Sequence, residues 1–146
     1  MLLIGTRNTT SQTVLANAQI NIGSVYRKYC KRINGLKTFN PTNTDITLQA
    51  TGMYHVTAVF KAAGSVAGDI TIQLNENGVA TPAMSATETI TTATTEIRTF
   101  VIDGYVKVDN TQVLCQTVVE PVVLSFTNTG VGATITSAVV NVEKVV

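Results

Sequence analysis

Charge is the scarcest commodity in this chain. Charged residues fill 13% of its 146 positions and the formal net charge is +1, about half the usual charged share of a soluble domain. A near-neutral chain offers no electrostatic footprint for a phosphate backbone. With 5% aromatic residues and no Trp, it also has few rings on which unpaired bases could stack. Nucleic acid is therefore not an expected partner. No apolar run reaches the roughly 18 residues that a membrane-spanning helix needs, so membrane insertion is not expected either. The N-terminal Met1-Leu2-Leu3-Ile4 is apolar but gives way at once to Gly5-Thr6-Arg7. It has neither the basic opening nor the long apolar stretch of a secretory signal, and synthesis in a cytoplasm is the expectation.

Chemistry-bearing residues are equally sparse. The chain has one His and two Cys. A nucleophile needs a base that a third group orients. His55 lies mid-strand by pattern, with Asp69 across a loop and Cys30 and Cys115 elsewhere, so no catalytic residue is assigned. Zinc needs three or four clustered ligands, and no loop shows the dense acidic spacing of a calcium site, although Asp69, Glu76 and Asp109 lie near turns. No metal or cofactor is expected. Two cysteines make no disulfide framework. They read as two buried thiols, with a Cys30–Cys115 disulfide as the alternative.

What the chain does have is Thr, about one residue in six, with abundant Val and Ile. These β-branched side chains suit pleated sheets and resist helices. A surface so poor in charge is either hydroxyl and amide or buried against another chain. Residues 1–19 are polar, Thr/Asn-rich and without sustained alternation. They read as an extended arm whose apolar start, Met1, Leu2, Leu3 and Ile4, could hook onto a partner and order on contact. The alternative is that this stretch is the first strand of the fold. Residues 20–146 read as the head. Within it, Tyr26 to Arg32 carries Arg27, Lys28, Lys31 and Arg32. These cations could bind phosphate or a host-surface glycan, or simply protect a sheet edge from pairing.

Strand signals follow at close spacing. In Gly52 to Lys61, Tyr54, Val56, Ala58 and Phe60 share one face by period two, and Ile70, Ile72 and Leu74 do so in the next strand. These residues are the expected core. Asn34-Gly35 and Asn77-Gly78 are turn pairs. Ile97 to Asp103 is apolar on both faces at its centre, and Val113 to Val119 reads as one strand covered on both sides. About ten strands, no helix and a two-faced core mean an all-β sandwich or jelly roll.

Three segments carry a resemblance. Gly52-x-Tyr54-x-Val56 opens a long strand, Ile70-x-Ile72-x-Leu74-x-x-x-Gly78 follows, and Thr136 to Val145 alternates toward the end of the chain. Over roughly residues 39–146 this resembles the tumour-necrosis-factor-like jelly roll of complement globular heads. It is also similar to the heads of collagen-tailed bacterial spore-surface glycoproteins and to modules of bacteriophage virion proteins. The resemblance implies a ten-strand, two-sheet jelly roll that forms a homotrimer through one sheet. No Gly-x-y repeat precedes the head, and no secretion signal is read. The setting implied is a virion: a capsid decoration or head fibre docked on a capsid or tail protein, and possible help in host attachment. A tail receptor-binding tip and a bacterial spore or cell-surface protein are the alternatives.

Overall fold

The computed structural model describes residues 2–30, 32, 33 and 36–146. Every regular element among them is a strand. In chain order they are β1 Leu2–Asn8, β2 Gln12–Val14, β3 Ala18–Gln19, β4 Ser24–Tyr29, β5 Arg32–Ile33, β6 Leu36–Lys37, β7 Phe39–Pro41 and β8 Asp45–Leu48. Then come β9 Gly52–Gly64, β10 Gly68–Glu76, β11 Val79–Ile90, β12 Ile97–Val108, β13 Asn110–Val113, β14 Gln116–Val119, β15 Val122–Asn128 and β16 Ala133–Lys144. Among the described residues no helix is long and apolar enough to cross a membrane.

Two six-stranded sheets face each other. One runs β12-β9-β16-β1-β4, with β2 also on β16; the other runs β11-β10-β15-β8-β7, with β3 also on β15. The pairs β13–β14 and β5–β6 form separate two-stranded hairpins. The architecture is the expected two-sheet jelly-roll sandwich, built from more strands than the ten read from the sequence. Short strands such as β2, β3 and β7 hold too few residues for a period-two pattern to register.

Alternation fills the space between the sheets. Tyr54, Val56, Ala58, Phe60 and Ala62 of β9 are fully buried, as are Ile70, Ile72 and Leu74 of β10. The Phe60 ring lies 5.2 Å from Phe126 of β15, so the two sheets interlock through aromatic side chains. Tyr54 meets Phe39 edge-on at 5.8 Å and donates its hydroxyl to the Ala50 carbonyl at 2.5 Å. Burial of this phenol pushes its pKa up to about 12. The turn between β10 and β11 uses Asn77 (φ 53°) and Gly78 (φ 78°), the left-handed pair a two-residue hairpin requires.

The N-terminal arm is corrected. Leu2–Asn8 is not an extended hook but an interior strand, paired from Leu2↔Lys144 to Asn8↔Ala138 with β16 and on its other side with β4. Leu2 and Ile4 are buried in the common core, so they are committed to the fold and are not free to dock elsewhere. Leu3 points the other way and is half-buried. β2 and β3 then tie residues 12–19 to β16 and β15, and the proposed boundary at residue 19 disappears. Met1 lies outside the described residues. Two further expectations fail. Val113 to Val119 is not one covered strand but the exposed hairpin β13–β14, turned at Leu114 and Cys115. Cys30 and Cys115 are exposed free thiols rather than buried ones.

Candidate assembly face

The outward face of the β12-β9-β16-β1-β4 sheet holds the side chains that the core does not use. Register sets them in rows. Val101 of β12 pairs with Val59 of β9, and Val59 with Val139 of β16. This apolar row runs across three strands on the side away from the core. Val101 is 54% exposed, with Ile97 on the same strand at 58%. A second row runs Tyr105, His55, Glu143, Leu3 and Tyr29 across all five strands. Tyr105 and Tyr29 stand 62% and 69% exposed.

Between these rows lies a polar band. His55 Nε2 contacts Asp103 Oδ1, and Thr57 Oγ1 donates to the same oxygen at 3.2 Å. The His55 ring stacks on Tyr105, 5.0 Å between centroids and 29° between planes. The carboxylate therefore sits between the imidazole and the hydroxyl. A hydrolytic triad needs the imidazole in the middle, touching the nucleophile, so this arrangement orients side chains on a surface and does not activate Thr57. Asp69, the residue considered from the sequence as a partner for His55, instead accepts from Thr89 Oγ1 at 2.7 Å. Asp103 escaped the sequence reading because its approach to His55 is a diagonal across paired strands, visible only once the β9–β12 register is known.

At the other side of the band, Tyr26 occupies a bulge in β4, where the register to β1 shifts between Gly5 and Thr6. Its ring lies over Gly5 and its hydroxyl donates to Asn141 Oδ1 at 2.8 Å. A Cβ on Gly5 would fall 2.6 Å from Asn141 Oδ1 and 2.8 Å from the Tyr26 ring, so glycine is what lets this ring lie flat across the strand. The Arg7 and Arg27 guanidinium groups flank the ring at 5.1 and 5.7 Å, within cation–π range.

The basic tract does not form one patch. Strand alternation places Arg27 beside Tyr26 on the outer face, whereas Lys28 lines a cleft between the edge strands β4 and β7. Lys31 and the Arg32 side chain lie outside the described residues, as does the Asn34-Gly35 turn. β4 is the edge of its sheet, the position where charged side chains discourage pairing with a stray strand. The turn carboxylates are dispersed: Glu76 accepts from Thr81 Oγ1 at 2.7 Å and Asp109 pairs with Lys107 at 2.7 Å. Among the described residues no three of His, Cys, Asp and Glu gather as a metal-ligand set.

With this geometry in hand, comparison with known proteins identifies the fold. No protein-family profile matches the sequence, and no curated protein sequence matches it. Solved structures do. The chain superposes on a tumour-necrosis-factor protein, Eiger, of S. frugiperda with a TM-score of 0.64 at 9% identity, covering 100% of this chain and 94% of that one. The globular domain of zebrafish complement 1qA protein gives 0.56 at 12% identity, covering 100% and 98%. The PRD1 vertex protein P5 gives 0.52 at 14% identity, covering 99% and 97%. The fold is a jelly roll of the tumour-necrosis-factor and complement-head type, as the sequence resemblance implied.

Proposed function

We propose that this chain is a non-enzymatic structural head of a bacteriophage particle, a capsid decoration or head fibre, and that it works as a three-fold homotrimer. The observation that carries the reading is the outer face of the β12-β9-β16-β1-β4 sheet. An apolar row, Val101-Val59-Val139, and the exposed rings of Tyr105 and Tyr29 flank the polar band of Asp103 and Thr57 on a chain with 13% charged residues. Apolar and aromatic residues gathered on one sheet, with few charges to keep them in water, describe the centre of an interface. Closed rings are the usual way for one patch to be satisfied by copies of the same chain. Such a trimer is expected to bury more than the roughly 2,000 Å² typical of obligate assemblies.

The virion setting is supported by the likeness to the PRD1 vertex protein P5. Light scattering on the purified protein tests the assembly: the expected mass is three times the 15.5 kDa of the chain. A monomer at micromolar concentration rules the trimer out. Co-sedimentation of the trimer with particles that lack it tests the setting, and its failure removes the capsid role while leaving the trimer standing.

A further inference from the structure

The chain contains one histidine, and the register sets it on the outer face of the β12-β9-β16-β1-β4 sheet, in the row of Tyr105 and Tyr29. Imidazole is the side chain whose ordinary change of charge falls between about pH 5 and 8. The place of His55 therefore decides which surface of the chain responds to pH in that range. The groups that face it come from both neighbouring strands. On β12 stand Asp103, in contact with Nε2, Tyr105, stacked on the ring, and Lys107 on the other diagonal. On β16 stands Glu143, directly opposite His55 in the register. On β9 itself, Thr57 Oγ1 donates to Asp103 at 3.2 Å.

The cations of the face do not serve these carboxylates. Lys107 is paired with Asp109 at 2.7 Å. Lys61 lies beyond Thr57 and Val59 along β9, and Arg7 and Arg27 flank the Tyr26 ring on β1 and β4. Glu143 makes no ion pair among the described residues. A neutral imidazole thus leaves His55 between two carboxylates, Asp103 and Glu143, with neither charge balanced beside it; an imidazolium balances one of them. In the protomer the difference is small, because Asp103 is exposed and water solvates it. Under another chain that water is lost, and an unpaired carboxylate is far harder to bury than one held by a cation.

We propose that His55 makes assembly pH-dependent: the trimer is tighter with the imidazole protonated and loosens as His55 gives up its proton. This rests on the homotrimer through this face proposed above and adds the proton as a ligand of that interface. The sign follows from linkage. Covering Asp103 and Glu143 favours the imidazolium beside them, so assembly takes up protons, and a ligand taken up on assembly promotes it. Association is therefore strongest below the imidazole range and weakens as pH rises through it. Carboxylates ordinarily titrate below that range, and lysine, arginine and phenols above it, so the change in between belongs to His55.

The test is light scattering on a dilution series of the purified protein at about pH 5.5 and about pH 8, in reducing buffer with urea held at one concentration that half-dissociates the wild type at the higher pH. The concentration at which the wild type dissociates should be lower at the acid pH by about tenfold or more. His55→Gln should hold association at its alkaline level at both pH values. Asp103→Asn removes the carboxylate that the imidazolium balances and should abolish the acid gain. Both are surface substitutions that cost the protomer little, and circular dichroism checks that each variant is folded. Association that is equal or weaker at the acid pH in the wild type overturns the proposal, as does an acid gain that persists in either variant. A monomer at both pH values without urea refutes the homotrimer itself; a trimer whose strength ignores pH refutes this proposal alone.

Discussion

Phe60 and Val101 test the two faces of one sheet separately. Phe60 of β9 is fully buried and contacts Phe126 across the sandwich; Val101 of β12 is more than half exposed on the other side. Truncating a buried Phe removes its transfer free energy and leaves a cavity that the two sheets cannot collapse to fill, at a cost of about 3–5 kcal/mol. For a chain of this length each kcal/mol shifts the melting temperature by about 2–4 °C, so Phe60→Ala should lower it by about 6–20 °C. Val101→Lys changes an exposed position and should cost the protomer no more than about 0.5 kcal/mol. It places three charges in the proposed interface, however, and should convert trimer to folded monomer. Because assembly raises apparent stability by mass action, urea and thermal unfolding must be compared at one protein concentration. Light scattering then separates loss of assembly from loss of fold. A slip of one residue in the β9 register would exchange Val59 and Phe60 between the faces. Phe60→Ala costing less than about 1 kcal/mol would therefore refute the register and the core assignment together.

Two pH predictions follow from side chains held far from their ordinary ionisation. Glu96, in the link between β11 and β12, accepts from the Thr92 amide, the Thr91 amide and hydroxyl, and Arg98; these bonds hold its pKa at about 2 instead of 4.5. The folded value lies below the unfolded one, so its contribution is present above pH about 4.5 and is lost as pH falls toward about 2. Acid titration of unfolding should show this loss in the wild type and a shallower profile in Glu96→Gln. Tyr54 has the opposite sign of exposure to pH: its neutral phenol is favoured by burial, its folded value is about 12 against 10.0, and the stability it supplies disappears as pH rises through that window. Tyr54→Phe should flatten the alkaline limb between those values, followed by circular dichroism; an unchanged limb would show that Tyr54 is not buried as described.

The elements legible in the sequence are those whose two faces differ in chemistry. β9 alternates apolar residues against His55, Thr57 and Lys61, and β10 alternates Ile70, Ile72 and Leu74 against Asp69, Thr71 and Gln73, so period two announced both. The Asn77-Gly78 turn was equally readable, because its residue types are those its backbone demands. β1 hides its pattern. Its inward residues are Leu2, Ile4 and Thr6, and its outward ones are Leu3, Gly5 and Arg7. Leu3 packs between paired strands on the outer face of the sheet, and Gly5 has no side chain because Tyr26 takes its place. Thr6 is fully buried with a hydroxyl that makes no hydrogen bond, serving as a Val-shaped filler that reads as polar. A strand so composed looks like a hook followed by a polar spacer.

The hairpin β13–β14 departs from the sequence reading for the converse reason: its apolar residues are real, but among the described residues nothing covers them. Val113, Leu114 and Val118 are all substantially exposed, and a run of apolar residues in sequence cannot say whether its cover comes from the same chain or from another. The same holds for the outer row of Val101, Val59 and Val139. Ile97 to Asp103 is apolar on both faces at its centre, and in β12 one of those faces is bare in the protomer, with Val101 54% exposed. In a chain so short of charge, an apolar residue that the fold leaves uncovered is the strongest clue to association that the sequence holds. Its location, one sheet face and one hairpin tip, becomes readable only when the strand register assigns each side chain to a side.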